Sequence, residues 1–133
     1  MPGMHLAWQV FCLGLAGAVG TLLRAGCNAA GARLVGHGFP WATLAVNVFG
    51  SLAFGVIFAA ARSRGTIPPG LEAVLLVGLL GGFTTWSSFA FQAVEMAEQG
   101  RMLQAVAYVA GTNAASLAAV WVGMRVVTAG SVR

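Results

Sequence analysis

A run of glycine, hydroxyl and aromatic residues interrupts one of four long apolar segments, and it constrains the fold more than any other feature. The run is Gly81-Gly82-Phe83-Thr84-Thr85-Trp86-Ser87-Ser88-Phe89. Lipid offers no hydrogen-bond partners, so backbone that leaves the helix at membrane depth is tolerated only inside protein or beside a polar cavity. In transporters such breaks turn helix ends and freed carbonyls towards ions. The run therefore predicts a helix broken in mid-membrane beside an ion or substrate site.

The composition predicts an integral membrane protein. Of the 133 residues, 59% are hydrophobic and only 8% are charged, with a mean hydropathy of +0.85, whereas soluble domains carry roughly 25% charged residues. A span of the bilayer core needs about 20 apolar residues. Four segments qualify: Leu6–Leu23, Trp41–Ala61, Leu71–Met96 and Ala105–Val127. We predict an all-α membrane protein with four transmembrane helices, a single domain over residues 1–133, an uncleaved first helix and Arg24 at the end of that helix.

The net charge of +4 comes from arginine alone. These arginines are scattered singly, which argues against a nucleic-acid partner. The side with both termini and the second connection carries Arg62, Arg64, Arg125 and Arg133. The opposite side carries Arg24, Arg33 and Arg101. Because cytoplasmic loops carry an excess of Lys and Arg, a balance of four against three fits either one weak orientation or insertion both ways as an antiparallel dimer.

Small residues predict close helix contacts. They are Gly14, Gly17 and Gly20 in the first helix, and Gly50 and Gly55 in the second. Glycine lets helix backbones approach closely in lipid. The sequence leaves open whether these contacts lie within one protomer or between two.

The polar residues inside the apolar segments are neutral. Tyr108, Thr112 and Ser116 are four residues apart and share one stripe of the fourth helix, either as a polar track or as ordinary helix hydroxyls. Trp86 and Phe89 share a face of the third helix, where they either pack or line a pore.

The second and first helices add further candidates. Thr43 and Asn47 lie one turn apart, with Asn47 about 9 Å along the helix. The Asn47 amide can donate to an anion or bond another helix. Arg24 can snorkel to the interface or attract an anion.

The absent residue types exclude several functions. The interiors of the first, second and fourth helices hold no acid, and a proton-coupled cation exporter normally needs one. No nucleophile, metal-ligand or phosphate-loop set is present, so we predict that the chain is not an enzyme. Burying a bare anion costs on the order of tens of kcal/mol, and neutral donors can replace its water stepwise. The inventory suits the passage of a small anion.

Three stretches together resemble the small fluoride channels of the Fluc (CrcB) family. They are Gly81–Phe89, which follows the family pattern Gly-Gly-x-Thr-Thr-Phe-Ser-Thr-Phe, Thr43–Gly50 with its Asn-x-x-Gly, and Gly20–Arg24. The resemblance implies an antiparallel, dual-topology homodimer in the bacterial cell or inner membrane. It also implies two pores that export toxic fluoride passively. A structural Na⁺ would lie on the two-fold axis, bound by the backbone carbonyls of Gly81 and Thr84.

The resemblance also implies roles for individual residues. The anion would meet Asn47, Trp86, Phe89, Tyr108, Thr112 and Ser116, with Arg24 at a vestibule. The hydroxyls of Thr43, Thr85 and Ser87 complete the candidate pathway. The chain departs from the family pattern at Trp86 and Ser88, where the pattern has Phe and Thr, and at Gln92, where many members carry Glu.

Two other functions remain open at this point. A dual-topology exporter of cationic drugs also has four helices, but it requires a membrane-embedded acid. A non-transporting assembly subunit would use its small-residue faces only for packing, and the hydroxyl cluster of the third helix would then have no purpose.

Overall fold

The computed structural model describes residues 2–65 and 67–129, and in these ranges every regular element is helical. The order is α1 (Pro2–Val35), α2 (Trp41–Arg64), α3 (Pro69–Ala73), a π-helical segment (Val74–Leu80), α4 (Gly81–Phe83), α5 (Trp86–Glu98) and α6 (Met102–Ala129). Four stretches are long and apolar enough to cross a membrane: His5–Val35, Trp41–Ser63, Pro69–Glu98 and Met102–Ala129. The predicted all-α fold with four spans is confirmed.

Helix α1 is longer than the sequence prediction. It does not end near Leu23 but continues to Val35, so Arg24 lies inside it rather than at its end. The residues after Arg24 are rich in alanine, the strongest helix former, and the chain turns only at Gly36, whose φ is +75°. Hydropathy marked the apolar part of the helix and not its backbone end.

The third span is broken where the sequence predicted. Thr84 and Thr85 have extended backbone, with φ/ψ of −78°/157° and −148°/116°. They separate α4 from α5. The π-helical segment just before the break was not predicted, because its sequence is a uniform apolar run.

Glycines let the backbones of the spans approach closely within the protomer. Helix α2 packs along α6, and α1 packs along the π-helical segment and α4. A Cβ at Gly55 would meet the Val120 carbonyl, and one at Gly20 would meet the Leu79 carbonyl. The glycines predicted to allow close approach therefore do so within one protomer, except Gly14, which has nothing within 4 Å.

Candidate ion pathway

The side chain of Asn47 holds the broken backbone in place. The Thr85 N–H donates to Asn47 Oδ1 at 2.9 Å, and Asn47 Nδ2 donates to the Thr85 carbonyl at 3.1 Å. In a continuous helix the Thr85 N–H would donate to the carbonyl of Gly81. Asn47 thus replaces a helical hydrogen bond that the break removes, and its amide retains one further N–H.

Thr85 also caps the N-terminus of α5. Its hydroxyl accepts from the Ser88 N–H at 3.3 Å and donates to Ser88 Oγ at 3.0 Å. A capping hydroxyl satisfies one of the N–H groups that a helix start leaves without a partner. Because the Ser88 N–H is used in this way, the carbonyl of Thr84 loses the donor that a continuous helix would supply.

Arg24 bonds to the break from α1. Its Nε donates to the Gly82 carbonyl at 3.1 Å, and the Thr21 hydroxyl is 3.5 Å from the same oxygen. Gly82 lies near the middle of the Pro69–Glu98 span, so Arg24 does not snorkel to the interface. It lies about 16 Å from the end of α1. Without Arg24, the predicted balance of arginines between the two sides of the membrane becomes four against two.

A cavity of about 370 Å³ opens beside the break, and we call it the break cavity. Its lining consists of Asn47, Gly50, Ser51, Phe54, Leu76, Leu80, Gly81, Thr84, Thr85, Trp86, Phe89, Thr112, Asn113, Ser116 and Val120. Among the described residues, this lining has no ionisable side chain. The break cavity therefore surrounds its contents with neutral polar groups and aromatic rings.

Two hydroxyls on α6 are unpaired in this cavity. Thr112 Oγ1 and Ser116 Oγ are buried and have no hydrogen-bond partner among the described residues, and Thr112 is only 3% exposed. An unpaired buried polar group costs about 1–3 kcal/mol, so such groups usually mark a place for water or a ligand. An ion or a water beside these two hydroxyls would supply the partner that the protein does not.

Contacting aromatic rings lie along one part of the break cavity. Phe89 is 3% exposed and Tyr108 is fully buried, with ring centroids 5.1 Å apart. The Phe39 ring lies 5.4 Å from Tyr108 on its other side. The Trp86 ring lies 5.1 Å from the Phe89 ring, tilted by 48°, but Trp86 is 71% exposed. The predicted pairing of Trp86 with Phe89 on one face agrees with this ring contact.

A second cavity, of about 510 Å³, lies beyond these rings, and we call it the mouth cavity. Its lining is Asn28, Gly31, Ala32, Val35, Gly36, His37, Phe39, Pro40, Trp41, Ala42, Thr43, Gln92, Glu95, Met96, Gln99 and Arg101. Phe89 lines the first cavity, and Phe39 lines the second, with Tyr108 between them. The ring contacts from Phe89 through Tyr108 to Phe39 thus join the lining of the break cavity to that of the mouth cavity, and we call these rings the aromatic partition.

The hydroxyl of Tyr108 is already engaged. It donates to Gln92 Oε1 at 2.9 Å. A phenol has only one proton to donate, so Tyr108 cannot also donate to an anion in this arrangement. Gln92 presents its amide at the mouth cavity, and its two N–H groups are the donors that this pair retains there.

Eight of the predicted site residues meet at the break cavity: Asn47, Gly81, Thr84, Thr85, Trp86, Phe89, Thr112 and Ser116. Thr43 lies at the mouth cavity, and Tyr108 lies in the partition. Ser87 is exposed on α5 and lines neither cavity, and Arg24 lies against the Gly82 carbonyl. The roles assigned to these residues remain predictions.

Sequence reasoning missed several polar residues of the two cavities. They are Ser51 and Asn113 in the break cavity and Asn28 and Arg101 in the mouth cavity. Asn113 follows Thr112 and lies on the adjacent helical face. The only available signal was this adjacency, because the width of the cavity could not be read from helical spacing.

These features define a small polytopic membrane protein whose third span is interrupted beside a neutral polar cavity, the arrangement of a channel or transporter. A family model described as "CrcB-like protein, Camphor Resistance (CrcB)" matches residues 11–124. The chain belongs to this family, which confirms the resemblance. It is 39% identical over 116 residues to the Fluoride-specific ion channel FluC of Nitratidesulfovibrio vulgaris, covering 87% of this chain and 94% of that protein. It is 44% identical over 112 residues to the Fluoride-specific ion channel FluC of Paracoccus denitrificans, covering 84% and 88%.

Proposed function

We propose that this protein is a fluoride channel of the plasma membrane, which lets fluoride leave the cell passively and so limits its toxicity. The observation that carries the proposal is the break cavity, whose neutral donors and aromatic rings suit a small anion. The relatives named above bear the name of a fluoride-specific ion channel. Their name supports fluoride as the ion, and a channel function implies no enzymatic step.

The donors of the break cavity can replace water around an anion one contact at a time. The remaining Asn47 N–H and the hydroxyls of Thr112 and Ser116 are neutral donors of its lining residues, and the ring of Phe89 has a positive edge. A pathway conducts when binding is favourable enough to enter and weak enough to leave. Neutral donors meet this condition because they attract an anion without a fixed opposite charge that would retain it.

The competing exporter of cationic drugs is not favoured by this site. Such a transporter couples substrate to a membrane-embedded carboxylate, and the lining of the break cavity has none among the described residues. An assembly subunit would leave the unpaired Thr112 and Ser116 hydroxyls without a function. Neither alternative explains a neutral polar cavity beside the break.

Flux from proteoliposomes tests the proposed function. Vesicles with purified protein are loaded with potassium fluoride or potassium chloride, and efflux is followed with ion-selective electrodes after addition of valinomycin. We expect fluoride efflux and negligible chloride efflux. Chloride efflux of comparable size would refute the selectivity, and no efflux of either ion would favour the assembly subunit.

We further propose that two protomers assemble as an antiparallel, dual-topology homodimer with one pathway per protomer. Trp86 lies at the break cavity yet is 71% exposed, so a partner protomer would complete the wall beside it. The arginine balance of four against two is a weaker argument for dual topology than the sequence count. Labelling of Arg33→Cys and Arg125→Cys, each in a chain with Cys12 and Cys27 replaced by alanine, tests topology. Each introduced cysteine should react from both sides of the membrane, and labelling from one side only would refute dual topology.

A structural Na⁺ fits the carbonyls of Gly81 and Thr84, and we propose that it binds there. Their helical donors are redirected to Asn47 and to the Thr85 hydroxyl, and unwound carbonyls of this kind coordinate Na⁺ in transporters. In a two-fold dimer each carbonyl occurs twice, which gives an all-oxygen ligand set. When bound, the ion would hold the two breaks together. Replacing Na⁺ by N-methylglucamine should lower the thermal stability of the dimer, and an unchanged melting temperature would refute the site.

A further inference from the structure

Arg101 holds an unused hydrogen-bond donor in the mouth cavity. Its Nη1 donates to the Gly38 carbonyl at 2.6 Å. This bond ties the connection between α5 and α6 to the connection between α1 and α2. Its Nε is buried and has no hydrogen-bond partner among the described residues. The guanidinium of this cavity-lining residue is thus held through Nη1, while its Nε–H remains without a partner.

A second unpaired group lies in the same cavity. The oxygen Oδ1 of Asn28 is buried without a partner in the described chain. Rotation of the Asn28 side-chain amide by 180° places Nδ2, which carries two donors, where this oxygen was. Arg101 and Asn28 both line the mouth cavity, and each would relieve the cost of an unpaired buried group by donating to an acceptor there.

The other ionisable groups that line this cavity are Glu95 and His37. Glu95 is exposed on α5 and makes no ion pair with Arg101 within 4.0 Å among the described residues. The Arg101 guanidinium is therefore not neutralised by direct contact. A charged donor makes hydrogen bonds roughly twice as strong as a neutral one, which favours an anionic ligand over water.

We propose that the mouth cavity captures the permeant anion at Arg101, with Nε–H as the main donor and the Asn28 amide as the second, before the anion crosses the partition of Phe89 and Tyr108. The inference rests on the proposed channel function and adds to it a charged collecting site. Gln92 lines the same cavity and bonds to Tyr108, so its amide is the next donor along the way. Capture at Arg101 concentrates the ion without adding a second charge beside the break, where Arg24 already lies.

Initial rates of fluoride efflux over a range of internal fluoride concentrations test this inference. Arg101→Gln should raise the half-saturating concentration about tenfold, as expected for the loss of one charge-assisted hydrogen bond, and should leave the maximal rate unchanged. Arg101→Lys keeps the charge and should raise it only about threefold, because a lysine lacks the planar donor fork. Asn28→Ala leaves the Arg101–Gly38 bond intact and should also raise it about threefold.

Arg33→Gln is the matched control. Arg33 is exposed near the end of α1, at the same end of the bundle, and does not line the mouth cavity. It should leave the half-saturating concentration unchanged. An equal effect of Arg33→Gln and Arg101→Gln would overturn the site in favour of general surface charge.

An anionic lipid headgroup offers the same acceptor chemistry, so the assay is run in phosphatidylcholine alone and with added phosphatidylglycerol. Capture of the permeant ion predicts the Arg101→Gln effect in both. An effect confined to phosphatidylglycerol would overturn the inference and assign the donor to lipid. Wild-type efflux together with unchanged half-saturation in Arg101→Gln and Asn28→Ala would overturn this inference alone, whereas the absence of wild-type fluoride efflux would overturn the proposed function.

Discussion

Replacement of Asn47 by alanine should destabilise the broken third span. Asn47 exchanges two hydrogen bonds with the Thr85 backbone, at 2.9 and 3.1 Å. Hydrogen bonds between membrane helices contribute about 0.6 kcal/mol on average and up to about 1.7. Two of them give about 1–3 kcal/mol. We expect the upper part of this range, because extended backbone at this depth has no other donor or acceptor to turn to.

The matched control is Asn113→Ala. Asn113 also lines the break cavity, but its amide donates to the Val109 carbonyl of its own helix at 2.7 Å. That carbonyl already belongs to the helical ladder, so we expect a loss of about 0.5 kcal/mol or less. The comparison removes the same side chain from the same cavity and differs only in whether it bonds to the break.

Unfolding of both variants in mixed micelles with increasing sodium dodecyl sulfate, followed by circular dichroism, measures the difference. Fluoride efflux measures its consequence, and Asn47→Ala should also lose most of the flux because the break and one donor are disturbed together. Equal midpoints for Asn47→Ala and Asn113→Ala would refute the reasoning that Asn47 holds the break.

Three further predictions concern packing and the pathway. Gly123→Leu should prevent folding, since a Cβ at this position would meet the Leu52 carbonyl. A Cβ at Gly111 on the same helix would have nothing within 4 Å, so Gly111→Leu should stabilise the protein by about 0.8 kcal/mol. Gel filtration and melting curves measure both variants, and a monodisperse Gly123→Leu protein would contradict the packing. Thr112→Val should lower fluoride efflux at least about tenfold, as expected when an anion loses one donor; flux equal to wild type would remove this hydroxyl from the pathway. Tyr108→Phe should lower efflux by less than about threefold, because its proton is already donated to Gln92 Oε1; a larger loss than that of Thr112→Val would show that Tyr108 changes partner during conduction.

The four spans and the position of the break could be predicted because their signals are local. Hydropathy marks a lipid-facing segment, and Gly81–Phe89 combines helix breakers with hydroxyls that can serve freed backbone groups. The length of α1 was not accessible in this way, since alanine continues a helix beyond the apolar region. The bond from Arg24 to Gly82 also escaped prediction, because its atoms are 58 residues apart and meet only after α1 and α4 pack.

The candidate site was predictable in part for the same reason. Helical spacing placed Thr112 and Ser116 on one face, and both reach the break cavity. It could not show that the Tyr108 proton is spent on Gln92, since that bond joins two helices. The mouth cavity depends on how two connections fold together through Arg101 and Gly38, and no spacing within either connection reports it.

The bond from Arg24 to the break has a consequence for the order of membrane insertion. Arg24 enters the membrane within α1, and a charged residue at the centre of a single helix costs about 2.5–3.5 kcal/mol during insertion. Its acceptor, the Gly82 carbonyl, is synthesised 58 residues later. The newly made first helix must therefore hold Arg24 towards water, at a shallower depth than in the folded protein, until the third span arrives. We expect α1 to settle to its final depth only when α4 is present, which makes the last adjustment of the first helix a late event in biogenesis.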